Sequence, residues 1–256
     1  MCDDFTKEQE EAVICRMKLS RRDFAALSGA AAVAACAPGE VMPVASQSSA
    51  ANYSALERMF LTEESNVSFP TSDGTMDAFF VHPHSNTMRK KSPAVILWPD
   101  IAGLRESYQI MARKLAAQGY AVLAVNQYYR DAKAPVLGSF MEWRTDAGRA
   151  KLRPMIDQLS SDAVMRDAKA AVAFLDAQSA VDTARGIGSN GYCMGGPFTV
   201  YSAYASPDRI KAAASFHGGG LVREDGQSPH KLLANTQASY LFAIAQNDDA
   251  KAPDDK

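Results

Sequence analysis

The residues best equipped for chemistry lie in Gly191-Tyr192-Cys193-Met194-Gly195-Gly196, a thiol with a glycine two positions away on either side. A predicted strand, Ala184 to Ser189, precedes this segment and a predicted helix opens at Met194, which is the setting of a nucleophile elbow. So sharp a turn leaves no room for a Cβ at 191 or 195. The chemistry implied is nucleophilic attack. An unperturbed cysteine with a pKa near 8.5 is only about 3% thiolate at pH 7, and a helix N-terminus favours the anion. The Met194 N–H, at the helix start, is the natural first donor to a tetrahedral oxyanion. Ser189 does not compete, because Ile187 stands where a serine elbow needs glycine.

The elements that must position this thiol follow from apolar patterning. Val67-Ser68-Phe69 and Met76 to Val81 flank Ser72-Asp73-Gly74, a hairpin signal, so the domain opens antiparallel. Ala94 to Trp98 and Tyr120 to Val125 are continuous apolar runs, as expected of strands covered on both faces. Tyr108, Met111, Ala112, Leu115 and Ala116 recur between them at helical spacing, with Gly119 as the stop. The rhythm continues with a helix over 162–178, the strand before the elbow, and strands at Ala212 to Phe216 and Ser239 to Ala245. This alternation predicts an α/β fold with a doubly wound, mainly parallel sheet. Residues 130–160, rich in arginine and broken by Pro135 and Pro154, form a long connection expected over the carboxyl ends of the strands as a lid.

At these residues the chain resembles the dienelactone hydrolase family of α/β-hydrolases, whose members carry Gly-x-Cys-x-Gly-Gly at the elbow. The likeness covers about residues 65 to 250 and includes Trp98-Pro99-Asp100-Ile101-Ala102-Gly103, similar to the family's loop after the third strand. The resemblance implies a three-layer α/β-hydrolase needing no cofactor and no metal, acting on a small-molecule ester or lactone. It implies that Asp100 takes the acidic position beside the resting thiol, where family members usually have Glu, and that the Ile101 N–H is the second oxyanion donor. It also places the triad carboxylate just past the last predicted strand, at Asp248 in preference to Asp249.

A triad in the order nucleophile, acid, histidine then needs a histidine after Asp248, and none follows. Eight residues remain there, whereas the next catalytic loop needs a helix of about 11 residues, a strand of about 5 and two connections of about 4. The expectation is a chain cut short, lacking its last strand and helix. His82 and His84, on the Pro-broken connection before the third strand, and His230, in a polar loop, read as surface residues. His217 ends a strand on the same carboxyl edge as Cys193 and is the candidate substitute base.

The amino end reads as an address. Ser20-Arg21-Arg22-Asp23-Phe24 followed by an alanine-rich run resembles a twin-arginine signal, implying the twin-arginine translocase as partner and a bacterial periplasmic destination. Val33-Ala34-Ala35-Cys36 resembles a lipobox that would acylate Cys36 and anchor the protein on the periplasmic side of the membrane. The expected organisation is a signal over 1–36, a flexible tether over 37–55 and a hydrolase domain over 56–256. Cys193 is then the only thiol of the body, so neither a disulfide scaffold nor a cysteine zinc cluster can form. Lys+Arg 27 against Asp+Glu 29 gives a net charge of −2, which does not favour nucleic acid. Two functions stay open: a cysteine-dependent hydrolase of lactones or esters, and a lipid-tethered or vestigial protein of the same fold without turnover.

Overall fold

The chain enters the sheet as a hairpin, β1 (Thr62–Thr71) and β2 (Gly74–Pro83), closed by Ser72 and Asp73 with Gly74 at φ +142°. The computed structural model describes residues 61–84, 91–244 and 253–255. Asp248, Asp249, Cys36 and the whole of the predicted signal and tether lie outside the described residues. The remaining elements, in order, are β3 (Ala94–Trp98), α1 (Glu106–Ala116), β4 (Ala121–Val125), α2 (Phe140–Trp143), α3 (Asp146–Ile156), α4 (Ser161–Asp176), β5 (Ile187–Tyr192), α5 (Gly196–Ala205), β6 (Ile210–Phe216), α6 (Pro229–Leu232) and β7 (Ser239–Ala243).

Seven strands form one sheet in the order β1-β2-β4-β3-β5-β6-β7. β2 runs antiparallel to β1 and β4, and the pairs from β4 through β7 are parallel. This is the antiparallel start and mainly parallel continuation expected from the sequence. β4 shows why its residues are almost all aliphatic: Ala121, Leu123 and Val125 face the core shared with α4 and α5, while Val122 and Ala124 face α1. Both faces are covered, which makes three layers. Trp98 locks two of them together. Its ring meets Phe198 edge to face at 5.6 Å, and its Nε1 donates to Ser202 Oγ of α5 at 3.0 Å.

The structure corrects several expected boundaries. β5 occupies Ile187–Tyr192 rather than 184–189, because Asp182 folds the preceding residues into a turn: its Oδ1 accepts from the Ala184 N–H at 3.1 Å and its carbonyl from the Arg185 N–H at 3.1 Å. Pairing with Ser215 and Phe216 then carries the strand through Gly191 and Tyr192. His82 is not on a connection but within β2, opposite Glu63. Residues 130–160 hold two helices, α2 capped by Ser139 and α3 capped by Thr145, and α3 runs through Pro154 to Ile156.

Candidate active site

Cys193 and His217 are the two non-glycine residues with positive φ among the described residues, at +52° and +42°. Such backbone costs about 1–3 kcal/mol per residue and persists only where its surroundings over-determine it. For Cys193 the surroundings are visible. A Cβ on Gly191 would lie 2.0 Å from the Gly195 carbonyl oxygen, and one on Gly195 would lie 2.5 and 2.6 Å from the carbonyl oxygens of Pro99 and Trp98. These are backbone clashes, so both glycines are required where the elbow folds back and presses on the end of β3. A single 3-10 turn, Cys193–Gly195, precedes α5, so the α-helix begins at Gly196 rather than at Met194. Cys193 is half-buried.

That close approach brings the loop after β3 against the elbow. Tyr128, at the end of β4, spans the two: its hydroxyl donates to the Ile101 carbonyl at 2.6 Å and lies 4.0 Å from Met194 Sδ. Burial raises the Tyr128 pKa, and the negative charges of Asp100 and Cys193 raise it further, so the hydroxyl stays protonated and keeps donating. Within Asp100–Ala102 the Asp100 N–H donates to Tyr108 Oη at 2.8 Å and the Ala102 N–H to Asp100 Oδ1 at 2.9 Å. The Ile101 N–H makes no hydrogen bond within the described residues.

Asp100, the residue expected in the acidic position, is held by Arg105. Its two oxygens accept from Arg105 Nη1 at 2.8 Å and Nη2 at 2.9 Å, a bidentate pair 1–2% exposed on both sides. A carboxylate this deeply buried needs a paired cation, and Arg105 supplies it five residues on. With its Ala102 contact, this pairing shapes the loop that carries Ile101.

β5 and β6 run parallel, with Tyr192 registered against Phe216, so Cys193 and His217 are the next positions along the same edge. The paired rings of Tyr192 and Phe216 stack at 5.1 Å, and the His217 ring lies 6.3 Å from Tyr192. The His217 N–H donates to the Ala243 carbonyl at 2.7 Å, and Asp255 accepts from the Gly220 and Val222 N–H groups at 3.0 and 2.7 Å, holding the glycine loop beyond. His82 sits at the amino edge of β4, the opposite end of the sheet, with His84 just beyond β2. His230 is exposed and shares a hydrogen bond with Ser228 Oγ.

Residues 130–160 pack onto this edge. Phe140, Trp143, Met155 and Ile156 from α2 and α3 meet Tyr128, Val136, Leu137 and Met194 in one apolar cluster. Arg144, Arg149 and Arg153 are exposed, and Arg130 is turned away onto Asp73 and Asp167. No group of three or more His, Cys, Asp or Glu among the described residues could hold a metal ion. Arg105, Gln127 and Tyr128 escaped sequence reasoning, since the spacing of these residues follows neither a helical nor a strand period, and Tyr108 was legible only as a helix residue.

A mainly parallel α/β sheet with a cysteine on a glycine-flanked elbow, between its fifth strand and the following helix, defines an α/β-hydrolase fold. Within that class the chain belongs to the dienelactone hydrolase family, whose model matches residues 76–256. It is 29% identical over 179 residues to a Methylorubrum extorquens protein named "Putative carboxymethylenebutenolidase", covering 68% of this chain and 57% of that one. It is 28% identical over 139 residues to the carboxymethylenebutenolidase of Rhodococcus opacus, covering 54% and 48%. The chain thus spans about half the length of these curated relatives. The dienelactone hydrolase structure from Anabaena variabilis superposes with a TM-score of 0.53 at 18% identity, covering 76% of this chain and 80% of that one, a likeness of fold.

Proposed function

We propose that the chain is a cysteine-dependent hydrolase of carboxylic esters or lactones, with ring opening of the dienelactone to maleylacetate type among its reactions. The observation that carries this is the Cys193 elbow pressed against a loop whose Ile101 N–H is uncommitted while the N–H groups on either side are taken up. The Cys193 thiolate adds to the carbonyl carbon, forming a C–S bond as the C=O π pair moves onto oxygen. The Ile101 and Met194 N–H groups hold that oxyanion. Collapse restores the carbonyl and breaks the C–O bond, and the leaving oxygen takes up a proton. Water then adds to the thioester, expels the thiolate and releases the acid.

Asp248 is the proposed triad acid. His217 is the proposed proton carrier, since of the four histidines it alone occupies the edge next to Cys193. The names of the relatives support the lactone class. The twin-arginine and lipobox motifs support export to the periplasm, with or without an anchor at Cys36. A reading without turnover is separated by one experiment. The purified chain incubated with p-nitrophenyl acetate should acquire an acetyl group on Cys193 by mass spectrometry and release nitrophenol catalytically. Cys193→Ala should lose both, a fall on the order of 10³-fold or more, and His217→Gln should slow turnover by about 10²-fold. Acetylation without turnover supports the vestigial reading, and turnover surviving in Cys193→Ala overturns the hydrolase mechanism.

A further inference from the structure

We infer that Gln127, at the end of β4, is the positioning residue that aims the Ile101 N–H into the oxyanion hole, an inference that rests on the acyl-transfer reading above. Its side-chain Nε2 donates to the Asp100 carbonyl at 2.7 Å and leans on the Pro99 carbonyl at 3.4 Å. The Gly103 N–H donates to the same Asp100 carbonyl at 3.0 Å. That carbonyl belongs to the peptide unit whose nitrogen is Ile101 N. In a planar trans peptide the C=O and N–H point in opposite directions, so two donors fixing the carbonyl also fix the line of the N–H. Donation into the carbonyl polarises the peptide and strengthens its N–H as a donor in turn.

The anchoring behind Gln127 is equally specific. Asn126 Nδ2 donates to Asp77 Oδ1 and to the Ala132 carbonyl, each at 2.8 Å, while Asn126 Oδ1 accepts from the Tyr128 N–H at 3.0 Å. This bends the chain as it leaves β4, with Gln127 inside at 1% exposed. The other end of its amide, Oε1, is buried and accepts no hydrogen bond among the described residues. A buried polar atom without a partner is a cost that leucine or methionine at this position would not carry. Packing alone therefore does not account for an amide here; its N–H groups serve the Asp100 carbonyl and the Tyr128 hydroxyl, which itself holds the Ile101 carbonyl, so both sides of the Ile101 N–H are governed from this position.

The test separates chemistry that builds an oxyanion from chemistry that does not. Iodoacetamide alkylates a thiolate by displacing iodide, with no tetrahedral oxygen to stabilise, whereas p-nitrophenyl acetate acylates the same sulfur through an oxyanion. In the full chain, Gln127→Met should slow acetylation of Cys193 by about 10- to 10²-fold and leave its alkylation within about twofold of wild type. Gln127→Asn, whose shorter amide falls short of the Asp100 carbonyl, should show the same split and serves if the methionine variant does not fold. Acetylation at wild-type speed in the folded variant, or a parallel fall of both rates, overturns the role of Gln127. Wild-type protein that is alkylated but acetylated by no ester would instead sink the acyl-transfer reading, and this inference with it.

Discussion

Arg105 with Asp100 and Arg130 with Asp167 are chemically the same buried pair, set just beyond the carboxyl ends of neighbouring strands, yet they hold different things. The first is local: five residues separate its members, and its hydrogen bonds fold the loop that follows β3. The second is long-range. Asp167 of α4 takes Arg130 Nη1 and Nη2 at 2.9 and 2.8 Å and the Tyr129 hydroxyl at 2.7 Å, and Arg130 reaches on to Asp73 in the β1–β2 turn. Arg166 joins at Asp73, and Tyr129 Oη meets Thr71 Oγ1. One pair sets the shape of a candidate oxyanion loop. The other ties hairpin, sheet and helix together. The difference teaches that a buried ion pair is not in itself a mark of a site; what it orients decides.

The comparison breaks most sharply at Arg105. Arg105→Met leaves the Asp100 carboxylate buried and unpaired, so unfolding stability should fall by about 3–5 kcal/mol. Acetylation of Cys193 per folded molecule should fall at least tenfold as well, because the loop carrying Ile101 loses its shape. Urea denaturation and timed mass spectrometry read the two effects, and a stable variant that acetylates normally would show the local pair to be idle. Asp167→Asn should cost somewhat less, about 1.5–3 kcal/mol for weakened hydrogen bonds to a charged partner, with acetylation of the folded fraction within about twofold of wild type. A tenfold loss of acetylation there would erase the distinction between the two pairs.

The smallest effect belongs to Asp73, which is partly exposed. Arg166 and Arg130 hold its carboxyl well below the usual carboxylate range. Its contribution is therefore complete above the unfolded value of about pH 4 and is lost as pH falls toward the lowered one. Asp73→Asn should change stability at pH 7 by no more than about 1 kcal/mol, screened as it is by solvent. Melting temperatures followed from pH 7 to pH 2.5 should fall less steeply for the variant than for the wild type. Parallel curves would remove Asp73 from the network.

Much of this architecture was legible because it obeys a period. β4 could be read from an unbroken aliphatic run, and α1 from Tyr108, Met111, Ala112 and Leu115, since burial on two faces or one leaves a regular trace. The elbow was legible for a different reason, as Gly191 and Gly195 answer to clashes with main chain that any residue with a Cβ would suffer. The start of β5 was misjudged because Asp182 captures two turn groups in a segment that looks extendable. The helices α2 and α3 went unread because Pro154 and the scattered arginines hide their caps at Ser139 and Thr145.

By itself the sequence determined the α/β class, the succession of the strands and the thiol on its tight turn. Each of these rests on local sterics or on the repeat of apolar residues. Only the tertiary structure decided that Asp100 pairs with Arg105, that Tyr128 and Gln127 hold the two carbonyls on either side of the Ile101 N–H, and that His217 shares an edge with Cys193. Those relations join residues from different strands, and the directions of buried donors and acceptors are settled by the packing that excludes water around them, which no spacing along the chain records.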